Sequence, residues 1–359
     1  MSAPATTARL HGLDALRGLA VFLMIEQHMG VWLWRGRQPG ETLLDHWPLV
    51  AFNALGGGAA PMFITLAGVG TSLLLVHRSG PGIDVLLVRR GLVLLAFGLL
   101  LNLITPSWFS WGSWFVLHLM GFAMALAPLW RRMSDRALIV TAVIVAVAAI
   151  ALQMQLDTPM RLTNERMRDT SHPGGALRLA LVESQFPIFP WLAPYLLGTV
   201  AGRWIHARRF AAISALGFGA LLVGLVGWLV SRQLANVELV ARAFAIHLGF
   251  FPASIAIVAL LVGAVLLVIA AVARRDDRRP LSGRNPLVAL GRISLTLLLV
   301  HVPLFRQATR PIGWWQALTA GQALATIAIF LVLCVVIARA WERFGYRFGA
   351  EWLLRKLAG

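Results

Sequence analysis

Leu13-Asp14-Ala15-Leu16-Arg17-Gly18-Leu19-Ala20, running on through an apolar stretch to Glu26 and His28, decides how this chain reads. The stretch is long and apolar enough to begin a membrane-spanning helix, yet it carries acids, a base and a histidine. Charged groups are costly at membrane depth and are rarely there without a partner or a task. Each helical residue turns the side chain by about 100°, so Arg17 stands one turn above Asp14 on the same face. His28 lies three turns further along that face, roughly 16 Å higher, while Glu26 points elsewhere. A polar stripe on an otherwise apolar helix predicts a helix that lines the interior of a bundle.

The rest of the composition agrees. Of 359 residues, 58% are hydrophobic and 13% are charged. That is apolar sequence enough for roughly ten helices of about 20 residues, whereas soluble domains carry about 25% charge. The expected class is all-α, a polytopic membrane helix bundle, with no cleavable signal at the polar N-terminus. A net charge of +17 in a soluble chain would suggest nucleic acid. Here it is read as basic residues gathered in cytoplasmic loops against anionic lipid, with no nucleic-acid partner. Cys334 is the sole cysteine, so a disulfide within the chain and a thiolate metal site are excluded.

Ten apolar spans are predicted, near 13–34, 49–77, 85–105, 112–130, 136–155, 187–205, 211–231, 246–273, 286–305 and 316–340. Arg9, Arg78, Arg89, Arg90, Arg131, Arg132, Arg136, Arg203, Arg208, Arg209, the run from Arg274 to Arg284 and the basic C-terminus fall on one side. The positive-inside rule makes that side, and both termini, cytoplasmic. Trp32, Trp34, Trp47, Trp108, Trp111 and Trp114 fall near the opposite boundary and read as an aromatic belt. Two outer loops stand out. One holds Asp45, His46 and Trp47; the other, about 156–186, is polar and long for a compact bundle, either covering an outward-facing site or simply solvated.

Gly56-Gly57-Gly58-Ala59-Ala60-Pro61 predicts a discontinuity in the outer half of the second span. Close packing of small residues is the alternative. Phe186-Pro187-Ile188-Phe189-Pro190-Trp191 and Pro194 predict a stiff entrance to the sixth span, and Gly198 with Gly202 a small-residue packing pair.

Among nine histidines, His11, His77 and His206 sit at cytoplasmic ends, His172 is in a loop, and His118 and His247 read best as core residues. His28, His46 and His301 fall in the outer halves of spans one, two and nine. No HExxH, GxSxG, Walker-A or GxGxxG motif is present, and no metal is expected. Of 32 basic residues only Lys356 is lysine. Arginine forks onto phosphate, so Arg17 and Arg292, inside apolar spans, are candidates for a phosphate-bearing donor entering from the cytoplasm, whereas Arg89 and Arg90 read first as a cytoplasmic anchor and second as part of such a site.

Leu13-Asp14-Ala15-Leu16-Arg17-Gly18-Leu19-Ala20 through Leu23-Met24-Ile25 resembles the first-helix signature of the heparan-α-glucosaminide N-acetyltransferase family of transmembrane acyltransferases, as found in its bacterial members. Three later stretches agree in order: Ala60-Pro61-Met62-Phe63-Ile64-Thr65-Leu66-Ala67-Gly68; Phe186-Pro187-Ile188-Phe189-Pro190-Trp191 with Leu197-Gly198; and Gly291-Arg292-Ile293-Ser294-Leu295-Thr296 with His301. The first and last also resemble membrane O-acyltransferases that decorate bacterial surface polysaccharides.

The resemblance implies one transmembrane acyltransferase domain over 1–359, in a bacterial inner membrane. It implies transfer of an acetyl or similar group from cytoplasmic acyl-CoA to an extracytoplasmic sugar, glycan or glycolipid. There is then no permanently bound cofactor, acetyl-CoA is a co-substrate, membrane lipid surrounds the chain, and a homodimer is left open. The family's key histidine follows the first helix and precedes the Pro-Phe stretch of the second. His46, 15 residues before Pro61, is the first choice. His28 is the second, at a position where the polysaccharide enzymes tend to have histidine. Arg17, Arg292 and Asp14 are assigned to the donor. A neutral imidazole can take the proton of an attacking hydroxyl or amine, or form an acetyl-imidazole, and Asn53 or His28 is a candidate donor to the thioester oxygen. The rival readings are a polytopic transporter, which shares broken spans and buried polar groups, and a non-catalytic membrane protein.

Overall fold

A computed structural model describes residues 10–78, 80, 82–247 and 251–359. Arg9, and residues 248–250 of the predicted eighth span, lie outside the described residues. Sixteen α-helices follow in order: α1 (His11–Leu33), α2 (Trp47–Gly56), α3 (Ala59–His77), α4 (Ile83–Ile104), α5 (Val116–Ala125), α6 (Ala127–Trp130), α7 (Asp135–Gln155), α8 (Gly175–Arg178), α9 (Ile188–His206), α10 (Phe210–Gln233), α11 (Glu238–Phe244), α12 (Ile255–Arg278), α13 (Pro286–Arg292), α14 (Ser294–Val302), α15 (Ala320–Glu342) and α16 (Ala350–Ala358). The described residues form no β-strand beyond an isolated bridge between Trp34 and Leu318.

Leu44–His77, Asp135–Gln155, Phe210–Gln233, Ile255–Arg278 and Ala320–Glu342 are long and apolar enough to cross a membrane. A sixth span is added if α13 and the helix running on from Ser294 to Ala308, bent 74° apart, count as one. The chain is therefore an all-α integral membrane protein. Helices α7, α10 and α15 turn apolar side chains outward, among them Val143, Val147, Leu222, Val226, Val332 and Val336. An exposed apolar face of this extent suits lipid rather than water. All ten predicted spans coincide with helical stretches, while length and apolarity alone single out these five or six. The eighth begins at Ile255 rather than near 246, because Ser254 caps it, its Oγ accepting the Ile257 N–H at 3.3 Å. The fourth is split into α5 and α6 at Leu126, next to Pro128.

Helix α1 packs against α2, α3, α12, α13, α14 and α15. Its contacts explain two of the sequence motifs. A Cβ on Gly18 would lie 1.8 Å from the Leu287 carbonyl oxygen, and one on Gly291 would lie 1.8 Å from that of Asp14. Only glycine allows α1 and α13 to approach so closely, which brings the first motif onto the last. The middle two motifs meet in the same way. A Cβ on Gly68 would lie 2.1 Å from the Tyr195 carbonyl oxygen, and one on Gly198 2.1 Å from that of Thr65. Gly202 abuts Val69 and Ser72, so the small-residue pair on α9 is a packing surface against α3.

The expected discontinuity is present. Helix α2 ends at Gly56 and α3 begins at Ala59. A Cβ on Gly56 would lie 2.4 Å from the Gln27 Cβ, so the break also rests tightly on α1. At the same end, the Leu318 N–H donates to the Leu33 carbonyl and the Arg35 N–H to that of Leu318, both at 2.9 Å. The 310–319 segment is thereby tied to the end of α1.

Candidate active site

His28 sits near the end of α1 and His301 near the end of α14, and the two rings meet. His28 Nδ1 lies 2.9 Å from His301 Nε2, with the rings 11° from parallel. Fully buried, His301 also places its Nδ1 2.8 Å from the Leu297 carbonyl oxygen. A carbonyl oxygen only accepts, so the proton is on Nδ1 of His301, and its Nε2 in the neutral ring is an acceptor. His28 must then donate through Nδ1–H. The second ring nitrogen of His28, Nε2, keeps its lone pair and makes no hydrogen bond among the described residues. Trp32 stacks on His28 at 4.6 Å between ring centroids, and Trp108 meets it edge-on at 5.2 Å. The His28 ring is thus held by a stacked indole, an edge-on indole and a histidine.

His28 opens onto a cavity of about 670 Å³, within the size range of small-molecule sites. Its wall comes from α1 (Gln27, His28, Trp32), the α2–α3 break (Asn53, Gly56, Gly57, Ala60), the 105–115 segment (Trp108, Phe109, Phe115) and Arg306. The broken span therefore lines a cavity, as broken helices at membrane depth should. Leu162, Thr163, Asn164, Met167, Gln185 and Phe186 close it from the long 156–186 loop. That loop is a cover rather than a solvated excursion, and it is built as one. Buried Glu183 takes Arg178 at 2.7 Å, Arg166 at 2.9 Å and the Thr158 hydroxyl at 2.8 Å. Ser184 Oγ donates to the Met167 carbonyl.

The structure does not bring every predicted residue together. His46 is not part of the cavity wall. Its Nε2 lies 2.9 Å from Glu41 Oε2, and its ring packs against Trp34 at 5.1 Å. The Gln38 N–H donates to Glu41 as well, and these two bonds hold the Glu41 carboxyl below its usual range. His46 is thus engaged in ordering the 35–46 loop. Asn53 does line the cavity. Arg17 and Asp14 pair at 3.1 Å, as their helical spacing implies, with Asp14 buried and Arg17 about one-third exposed. Glycine at position 70 leaves room for the Arg17 guanidinium, since a Cβ there would lie 2.8 Å from Nη2. Arg292 pairs with Glu342, which also takes Arg339 at 3.2 Å. None of Asp14, Arg17 and Arg292 reaches the cavity wall; all three gather near the α1–α13 crossing.

No motif marks Arg306 in the sequence, and Trp32 and Trp108, expected in an interfacial belt, stand beside His28 instead. Trp47 and Trp111 are exposed in the manner of such a belt, whereas Trp32 is 3% exposed and packs on the histidine pair.

An all-α membrane bundle thus holds a hydrogen-bonded histidine pair beside a covered cavity. Residues 9–223, more than half of the chain, match the catalytic region of heparan-alpha-glucosaminide N-acetyltransferase, and the chain belongs to that family. It is in general terms a transmembrane acetyltransferase. Comparison with curated proteins gives no match. His28 lies inside the matched region and His301 beyond it, so residues 9–223 and the later helices build one site together.

Proposed function

We propose that this protein moves an acetyl or similar acyl group from cytoplasmic acyl-CoA to a sugar or glycan on the other side of the membrane, with His28 as the general base. The observation that carries the reading is the free lone pair on His28 Nε2, fixed by the bond from Nδ1–H to His301. An acceptor hydroxyl or amine gives its proton to Nε2 as its oxygen or nitrogen bonds to the thioester carbon. The C–S bond then breaks, and the thiolate leaves with the proton that His28 returns. General-base action of this sort typically contributes 10²–10⁴-fold. The imidazolium formed on the way donates through Nδ1 to His301 Nε2, and a charge-assisted bond is stronger than the neutral one it replaces. Asn53, on the cavity wall, supports the developing oxyanion with its amide.

Arg17 and Asp14, with Arg292, form the donor end. Arg17 stands below His28 by roughly 16 Å along α1, a span suited to the arm of coenzyme A with its phosphates on the arginine. The whole chain, 1–359, acts as one domain in a bacterial inner membrane, its basic end cytoplasmic. His46 orders the outer loop.

Purified protein given labelled acetyl-CoA should hydrolyse it slowly and transfer the label to amino sugars or glycans, and acetyl-CoA should raise its apparent thermal stability. A transport protein would instead move a solute into proteoliposomes with no acyl-CoA present, and that result would overturn the reading.

A further inference from the structure

The cavity holds a cation without a counter-ion. Arg306 lies on its wall, in the π-helical turn that follows α14. Its Nη2 donates to the Ser107 carbonyl at 3.1 Å, and its Nε is buried with no partner. Among the described residues no carboxylate lies within ion-pair distance of it. Arg310 shares the same indole, since the two guanidinium carbons stand 3.9 Å (Arg310) and 4.3 Å (Arg306) from the Trp315 ring centroid. Arg168, from the outer loop, is close enough to repel Arg306 as well. Several other partly buried arginines do have carboxylate partners, although Arg90 has no ion pair among the described residues. Arg166 and Arg178 share Glu183, Arg203 takes Asp135, and Arg292 takes Glu342. Arg306 is on the cavity wall with no such partner, and its nearest charged neighbours, Arg310 and Arg168, are cations too. Like charges gathered there are repulsive until an anion enters.

The arrangement also gives the anion a place relative to the base. Arg306 stands 5.9 Å from the centroids of both Trp32 and Trp108, the two indoles that flank His28. Cation and base therefore border the same aromatic pair. The remaining polar wall is neutral: Gln27, Asn53, Thr163, Asn164 and Gln185. Amides and hydroxyls beside indoles suit the hydroxyls and faces of a sugar, and the guanidinium suits an oxyanion.

We propose that Arg306 is the specificity residue for the acceptor, and that the acceptor is an acidic sugar or glycan whose phosphate, sulfate or carboxylate docks on it. This rests on the acyl-transfer reading, because it takes the cavity to be the acceptor site. With the acid on Arg306, the sugar ring lies along Trp108 and presents a hydroxyl or amine to His28 Nε2. Arg310 and Arg168 steer the anion inward and are screened by salt more than Arg306.

Isothermal titration of the purified full chain with glucose 6-phosphate, glucuronate and glucose, all without acyl donor, tests this. The two acidic probes should bind saturably and glucose at least about tenfold more weakly. Inorganic phosphate should compete with them, and Arg306→Gln should weaken the acidic probes about tenfold or more, with Arg306→Lys in between. Glucose binding as tightly as the acids, indifference to inorganic phosphate, no binding of any probe, or unchanged acid binding in Arg306→Gln would each overturn the proposal. If Arg306→Gln does not fold, phosphate competition on the unaltered protein still decides. Acid binding through Arg306 in a protein that transfers no acetyl group would leave this proposal standing and defeat the acyl-transfer reading instead.

Discussion

His28 Nδ1 and His301 Nε2, 273 residues apart in sequence, stand 2.9 Å from one another. The bond has a direction. The Leu297 carbonyl fixes the proton of His301, His301 fixes that of His28, and His28 is left with an open Nε2. His301 therefore acts through His28 as a positioning residue, in the way a carboxylate orients the imidazole of a catalytic triad.

Removing that support should slow the chemistry more than it weakens substrate binding. His301→Ala is expected to lower kcat by about 10–100-fold, the worth of one hydrogen bond to a charged group. The KM for acetyl-CoA should change little. His301→Gln, whose amide oxygen can still accept from Nδ1–H, should recover part of the loss. Steady-state kinetics on the purified variants checks both. A large rise in KM with kcat intact would give His301 a binding role.

The glycines at the helix crossings should tolerate no side chain. Gly291→Leu would drive a Cβ to 1.8 Å from the Asp14 carbonyl oxygen, and Gly198→Leu would drive one to 2.1 Å from that of Thr65. Both are backbone contacts that cannot swing aside, so neither protein should yield a monodisperse peak on size exclusion. Gly219→Ala and Gly321→Ala, which meet nothing within 4 Å, should behave as the parent.

The 156–186 loop should loosen when Glu183 loses its charge. Burial raises the pKa of this carboxyl, but its bonds from Arg178 and Thr158 and the nearby Arg166 outweigh that and leave it lowered. A lowered folded-state value means that its stabilisation is present above the ordinary glutamate range. It is lost as pH falls through the folded value. At neutral pH, Glu183→Ala leaves two arginines without their counter-ion, a change that costs about 3–5 kcal/mol for a buried pair. Trypsin should then cut at Arg161 or Arg168 faster than in the parent, while cleavage at the rest of the chain stays the same. Equal cleavage of the loop in both would mean that Glu183 does not hold it.

Crowding Arg17 should affect the donor alone. In Gly70→Val the new side chain enters the space that the Arg17 guanidinium occupies. The expected result is a higher KM for acetyl-CoA with binding of the acceptor unchanged, read in separate titrations. An unchanged KM would remove Arg17 from the donor site.

Much of this was legible in the sequence because it rests on short-range rules. Asp14 and Arg17 share a face by helical geometry alone, three successive glycines at Gly56–Gly58 weaken a helix, and the four-residue spacing of Gly198 and Gly202 puts both on one face for a close crossing. His28 and His301 each stand out in the sequence, but their pairing depends on α14 folding back against α1, which no local pattern encodes. Arg306 looked like one cation among 32. Its significance comes from carboxylates that are not near it, and that is a property of the assembled bundle. His46 matched a family spacing, yet the turn from Gln38 to Asp45 directs its ring toward Glu41 and Trp34 instead.

The most direct test is the initial rate of labelled acetyl transfer by purified parent, His28→Ala and His46→Ala proteins, each first shown to melt as the parent does. His28→Ala should lose about 10²–10⁴-fold in kcat, and His46→Ala should keep most of the parent rate. A His28→Ala protein that transfers at full rate, or a His46→Ala protein that is inactive beside an active His28→Ala, would contradict the account.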